Sequence, residues 1–160
     1  MIPPKAEQVQ PHDELNPPTF SLVTVVYNNA STLEEFWASF TPTPALEWIV
    51  VDNGSTDDSA VVAEKLGARV IRLKSNRGFS WANNAGYRSA KGTYIGFINP
   101  DVTVDPASLP ALAAIADQQK AIVAPQLINP DGSLQPNGRG FPFLSAKVRN
   151  RISGGDARDN

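Results

Sequence analysis

A chain of 160 residues with 41% hydrophobic side chains is long enough for one core, and a formal charge of -2 gives it no general attraction for nucleic acid. The absence of cysteine excludes disulfide frameworks, thiolate metal sites and cysteine nucleophiles together, and fits a reducing, cytoplasmic compartment. The single histidine, His12, leaves histidine metal clusters and Ser/His/Asp triads without their central part.

Residues 1–19 carry five prolines, scattered charge and no apolar stretch of signal-peptide type, and read as a disordered extension. The longest apolar runs, "WIVV" and "LPALAAIA", fall far short of the ~20 residues that span a bilayer. "FSLVTVVY", residues 20–27, is an uncharged β-branched run suited to a strand buried on both faces. "STLEEFWASF" then places Leu33, Phe36, Trp37 and Phe40 at helical spacing behind a Ser31 or Thr32 cap. "LEWIVVD" is a second buried strand, followed by a turn at Gly54 and a helix for which Ser55 and Asp58 have capping-box spacing. "ARVIRL" is a third strand. "GFSWANNAGYRSAKG" is a helix whose Ala82, Gly86 and Ala90 form a stripe of small residues, suited to close approach to a sheet.

"TYIGFIN" is the fourth strand, "DPASLPALAAIADQQ" a helix begun by Asp105 and Pro106, and "KAIVAPQLI" the expected fifth strand. This alternation predicts an α/β domain with a mostly parallel sheet flanked by helices. Asp131-Gly132 marks a hairpin turn. Residues 144–160, which hold four of the fourteen basic residues and turn Gly/Asp-rich, are expected to be a flexible tail.

In an open parallel sheet, ligands bind beyond the carboxyl ends of the strands. Three such positions are polar here: Tyr27, Asn28 and Asn29 after the first strand, Asp52, Asn53 and Gly54 after the second, Asn99 and Asp101 after the fourth. A dinucleotide fold needs G-x-G-x-x-G where this chain has "YNNAS", and no G-K-[ST] phosphate loop is present. Phosphate handling must therefore use other means, and a carboxylate at the end of the fourth strand can hold Mg²⁺ or Mn²⁺ to neutralise a diphosphate.

"SLVTVVYNNASTLEEF", "WIVVDNGSTDDS", "NRGFSWANNAGYRSAKGTYIGFINPDV" and "APQLINPDGSLQPNGR" resemble, in order, the blocks of the family 2 glycosyltransferases of GT-A fold, with the rhamnosyltransferase-like branch the nearest likeness. The resemblance covers residues 20–143, and implies a GT-A nucleotide-sugar-binding domain with an incomplete C-terminal region. It further implies that Tyr27 lies against the nucleotide base, that Asp52 accepts from the imide N–H of a uracil or thymine, and that Asn29 and Asn84 face the nucleotide crevice; read without the resemblance, Tyr27 equally suits a core-filling strand end, Asp52 a strand-terminal turn, and Asn84 a helix cap or interhelical hydrogen bond. "INPDV" resembles the family D-x-D element, with Asn99 on a ribose hydroxyl and Asp101 as the metal ligand; read alone, N-P-D is also an ordinary turn. "ANN" at 82–84 departs from the A-R-N of many relatives, so Asn83 cannot pair with a donor phosphate as an arginine would, and the departure inclines the donor towards a dTDP-sugar over a UDP-sugar.

The resemblance also implies an inverting reaction, whose base the family places in an E-D-x-D-like segment downstream of "DGSLQPNGR". Asp131, Asp156 and Asp159 are the only later acids, each at a turn or tail position, so no base is assigned. The expectation is a donor-binding half of a truncated or split glycosyltransferase, or a non-catalytic nucleotide-sugar-binding module. The expected partners are a nucleotide-diphosphate sugar, a saccharide or lipid-linked saccharide acceptor, and no nucleic acid. The basic stretch "FPFLSAKVRNRI" suits peripheral contact with an anionic membrane or a partner chain.

Overall fold

The computed structural model describes residues 20–135, so the N-terminal extension with His12, the basic tail, and Asp156 and Asp159 lie outside the described residues. Strands β1 (Phe20–Val26), β2 (Leu46–Asp52), β3 (Arg69–Arg72) and β4 (Tyr94–Phe97) form one parallel sheet in the order β3-β2-β1-β4. The helices between them are α1 (Ala30–Trp37), α2 (Ser59–Lys65) and α3 (Phe79–Ser89), and a short 3₁₀ turn at Pro106–Ser108 leads into α4 (Leu109–Gln119).

The two faces of the sheet follow from the alternation of side chains along a strand. Leu22, Val26, Trp48 and Val50 point to one face, where Leu33 and Trp37 of α1, Val62 and Ala63 of α2 and Leu109 and Ala113 of α4 pack against them. Val23, Val25, Ile49 and Val51 point to the other face, beneath Ala82 of α3. Each fully buried Val, Leu or Ile contributes about 1.5–3 kcal/mol relative to an exposed one. The second face has less room than the first. A Cβ added at Gly86 would stand 2.3 Å from Cγ1 of Val23 and 3.1 Å from Cγ2 of Val51, so the small-residue stripe does bring the α3 backbone down onto the sheet.

Three aromatic residues cluster on the first face. The rings of Trp37 and Trp48 stack 4.2 Å apart, with Phe40 edge-on to both. Trp48 Nε1 donates to the hydroxyl of Thr24 at 3.0 Å, which satisfies two polar groups inside the core.

Several local expectations are corrected. The first helix starts at Ala30 rather than behind Ser31 or Thr32, and its free N–H at Ala30 is met by the Asp57 carboxylate at 3.1 Å. The Ser55 and Asp58 capping box does not form, because α2 begins at Ser59 and Asp57, two residues earlier, reaches both the backbone N–H and the hydroxyl of Ser59. The fifth strand does not join the parallel sheet. Only Leu127–Ile128 (β5) is extended, pairing antiparallel with Leu134–Gln135 (β6). Lys120 ends α4 in the left-handed conformation, Ile122 is fully exposed, and Pro125 has no N–H to give a ladder. The hairpin turn at Asp131-Gly132 forms as expected, with Gly132 at φ 83°. No helix among the described residues is long and apolar enough to cross a membrane.

At the amino ends of the strands, Glu47 accepts from the Ser21 hydroxyl, the Lys91 N–H and Arg69. Burial pushes its carboxyl up, but these hydrogen bonds outweigh burial and hold it below the ordinary value of 4.5. Its stabilisation is therefore complete above the unfolded pKa and is lost as pH falls through the lower folded one. Denaturant titrations should show Glu47→Gln less stable than the parent at neutral pH, with the gap narrowing as pH drops below 4.5. Gly86→Ala should cost about 1–3 kcal/mol in the same measurement, since Val23, itself wholly buried, has no space to yield.

Candidate functional site

The chain runs β1, β2, β3 outward in one direction and then returns to place β4 on the opposite side of β1. The sheet therefore has its topological switch point between β1 and β4, which is where an open parallel sheet is expected to bind a ligand. Tyr27 follows β1, Asp52 ends β2 in register with Val26, and Asn99 and Asp101 follow β4. These residues thus come from three adjacent strand tips on one edge.

Asp52 is 6% exposed. Its Oδ1 accepts the Ser55 N–H at 3.0 Å, so it does shape the turn. No buried side-chain N or O atom among the described residues lacks a partner, and no bond is made to Oδ2, so that oxygen reaches the surface. The turn role and a ligand role use different oxygens of one carboxylate. Tyr27 is 46% exposed and so does not fill the core. Its N–H donates to Asn29 Oδ1 at 2.9 Å, which commits the Asn29 carboxamide oxygen to the loop.

Two loops are laced together beneath these residues. Asn28, at φ 55°, donates its N–H to the Ser55 hydroxyl and accepts the Thr56 N–H on Oδ1, while the Asn29 N–H donates to the Ser59 hydroxyl. Asp57 closes the set by bridging the first turns of α1 and α2. Burial raises its carboxyl, yet the hydrogen bonds from Ser59 and Ala30 overcome this and hold it below the usual aspartate value.

The fourth strand's tip is fixed from the core. Ile98 N–H continues the β4 pairing onto the Val23 carbonyl, and the Asn99 carbonyl accepts the Val102 N–H across a turn. Trp37 Nε1 donates to the Pro100 carbonyl at 2.9 Å. Proline sets φ within the turn, and the indole sets its position against α1, so Asn99 and Asp101 are presented from a braced backbone with both side chains exposed.

Asn84 is exposed in the second turn of α3. Asn83 donates to the Phe79 carbonyl at 3.2 Å, a bond within the helix. The guanidinium of Arg77 lies 4.4 Å over the Trp81 ring, beside an open cavity of about 380 Å³ lined also by Arg72 and Lys74. Asp131, the last acid among the described residues, accepts from the Ser133 N–H and hydroxyl, so its carboxylate belongs to the hairpin turn.

Among the described residues no group of three or more His, Cys, Asp or Glu could hold a metal ion. One carboxylate, Asp101, stands at the turn with the Asn99 carboxamide two residues away. That donor set fits a hard cation of the magnesium type, which takes one or two carboxylates and completes its shell with phosphate and water oxygens.

The mostly parallel α/β sheet flanked by helices is an architecture of the GT-A kind, as comparison with solved structures shows. The profile described as "Glycosyl transferase family 2" matches residues 21–158, and the chain belongs to that family. It is 33% identical over 109 residues to the glycosyltransferase EpsJ of Bacillus subtilis, covering 64% of this chain and 32% of that protein. It is 36% identical over 108 residues to the chondroitin synthase of Pasteurella multocida, covering 62% of this chain and 11% of that one. Among solved structures, Staphylococcus aureus TarS in complex with UDP superposes with a TM-score of 0.58 at 26% identity, covering 78% of this chain and 38% of that one. A mannosyltransferase of Pyrobaculum calidifontis, solved with GDP-Man and Mn²⁺, gives a TM-score of 0.56 at 22% identity over 70% of this chain and 36% of that one, a likeness of fold. The chain spans less than half the length of these relatives.

Trp37→Phe keeps a ring in the stack and removes the N–H that meets the Pro100 carbonyl. It should lower stability by about 1–3 kcal/mol. Hydrogen exchange should then speed up at Val102, whose N–H closes the turn, while the Val26 and Val51 amides stay protected.

Proposed function

We propose that this chain binds a nucleotide-diphosphate sugar across the tips of β2, β1 and β4, as the donor-binding domain, spanning residues 20–143, of an inverting glycosyltransferase. The observation that carries this reading is the gathering of Asp52, Tyr27, Asn99 and Asp101 on adjacent parallel strands around the reversal of strand order. In it, the Tyr27 ring stacks on the base, and Asp52 accepts the imide N–H of a uracil or thymine through the oxygen that Ser55 leaves free. Asn99 bonds a ribose hydroxyl, while Asn29, through its amide nitrogen, and Asn84 line the crevice.

Asp101 would hold Mg²⁺ or Mn²⁺ against the donor's diphosphate, and such a cation would supply charge neutralisation on the leaving group. An acceptor hydroxyl of a saccharide or lipid-linked saccharide attacks the anomeric carbon from the side opposite the diphosphate, and its proton passes to a base. No residue of the described region is assigned that role, since the carboxylate of Asp131 is spent on Ser133. That same observation favours a second reading, in which the chain holds the donor and a partner chain or further segment supplies the acceptor side. Membrane association through the basic stretch at residues 141–152 belongs to the proposal too.

The base is uracil or thymine. The Asn83 departure and the likeness to the rhamnosyltransferase-like branch favour dTDP, and the TarS complex offers UDP as precedent. Calorimetry with dTDP, UDP and GDP, each with and without Mn²⁺, should show pyrimidine nucleotides bound more tightly than GDP and strengthened by the cation. Asp52→Asn should weaken pyrimidine binding by roughly tenfold, because an amide nitrogen in place of the accepting oxygen turns attraction into a clash of donors. Asp101→Ala should abolish the strengthening by Mn²⁺ while leaving the metal-free affinity nearly unchanged. Metal-dependent binding that survives Asp101→Ala sinks the assignment.

A further inference from the structure

Asn53 is 3% exposed, yet it sits between two loops that are otherwise polar and open. Its Oδ1 accepts the Arg77 N–H at 3.0 Å, and its Nδ2 donates to Asn76 Oδ1 at 3.0 Å. The same Asn76 oxygen accepts the Gly78 N–H at 2.9 Å. Two backbone donors thus fix the orientation of both carboxamides, because a backbone N–H cannot face an amide nitrogen. Only one arrangement satisfies all three bonds: an acceptor and a donor at position 53, and a pure acceptor at position 76. The loops also touch through backbone, since a Cβ at Gly54 would lie 2.8 Å from Cα and C of Ser75. Leu73 N–H donates to the Asp52 carbonyl at 2.8 Å, which brings the same loop to the residue that ends β2.

We propose that Asn53 is a positioning residue for the donor site: its carboxamide holds the Ser75–Gly78 loop against the tip of β2 and so sets where the Arg77 and Trp81 pair stands relative to the strand that Asp52 ends. Arg77 is held at both ends, by its N–H on Asn53 and by its guanidinium over the indole. That leaves the edge of the guanidinium free for the anionic part of a nucleoside diphosphate at the mouth of the cavity. Asn53 itself touches no ligand in this scheme. The inference rests on the donor-binding reading above for its consequence, but not for its bonds.

The bond directions give an asymmetric test. Asn53→Asp and Asn76→Asp are isosteric and add the same charge to the same pair of loops. At position 76 only an acceptor is needed, so Asn76→Asp keeps every bond. At position 53 a carboxylate cannot donate, so Asn53→Asp sets two acceptors against each other. Calorimetry with UDP and dTDP should find Asn53→Asp weakened at least tenfold and Asn76→Asp within about twofold of the parent. Equal affinities for the two variants, whether both retained or both weakened, overturn the proposal. If Asn53→Asp does not fold, Asn76→Ala takes its place, expected at least fivefold weaker than Asn76→Asp; equal affinity of those two overturns it.

A parent chain that binds neither nucleotide rejects the donor reading alone. The positioning bonds are then read by hydrogen exchange at the Arg77 and Gly78 amides. Protection lost in Asn53→Asp and kept in Asn76→Asp supports the inference, and protection kept in both rejects it.

Discussion

Strand β1 is hydrogen-bonded along both edges and buried on both faces, and the rest of the domain is arranged to permit that. Its seven residues pair with β2 over their whole length and with β4 over the first four. Two of them are polar and wholly buried, Ser21 and Thr24, and each is matched from the neighbouring strand, Ser21 by Glu47 and Thr24 by Trp48. A one-residue slip of β1 would turn every side chain to the wrong face and leave both hydroxyls without partners, so the register is strongly determined. Because β1 is central and β4 pairs with only its first half, the two strands part company at their carboxyl ends. That parting is the switch point at which an open parallel sheet is expected to take its ligand.

The position of the acidic turn after β4 then depends on a side chain at the far end of α1. Trp37 is buried among aromatic rings by its indole faces and spends its single donor on the Pro100 carbonyl. Core packing and the placement of Asp101 are thereby joined in one side chain. This is also why a proline between Asn99 and Asp101 is tolerable. The turn needs no N–H from residue 100, and the carbonyl of that residue is the group α1 uses.

How much of this was legible in the sequence differs by scale. Strand β2 was readable to the residue, because "LEWIVVD" is unbroken and apolar from Trp48 until the carboxylate of Asp52 stops it, and the small-residue stripe of α3 announced its close packing. The caps were misread for a physical reason. Capping rules are local, whereas Asp57 caps a helix 27 positions away as well as its own, and only the meeting of two loops makes that possible. The fifth strand failed differently: "KAIVAPQLI" has strand-like composition, but composition cannot say whether a sheet edge is there to receive it, and Pro125 argued against a central place. In the site, the residue types at the strand tips were legible and the bonds between loops were not. Asn53 and Asn76 are 23 positions apart, and nothing in either neighbourhood marks them as a pair.

The distribution of satisfied and unsatisfied polar groups sorts scaffold from site. In the loops after β1 and β2, Asn28, Asn53, Ser55, Asp57 and Ser59 are spent on one another or on backbone. Such mutual satisfaction is expected where irregular backbone is packed closely, because an unpaired group there costs about 1–3 kcal/mol. Against it stand one oxygen of Asp52, the ring of Tyr27, and the side chains of Asn99 and Asp101. All are held by rigid neighbours and carry no hydrogen bond of their own among the described residues. They differ in chemistry as well: an acceptor, an aromatic face, an amide and a charge. A merely solvated rim would have no reason to fix four different groups on three adjacent strand tips while tying down nearly everything behind them. The proposed donor, with a flat heterocycle that donates, a polar middle and an anionic end, would use all four.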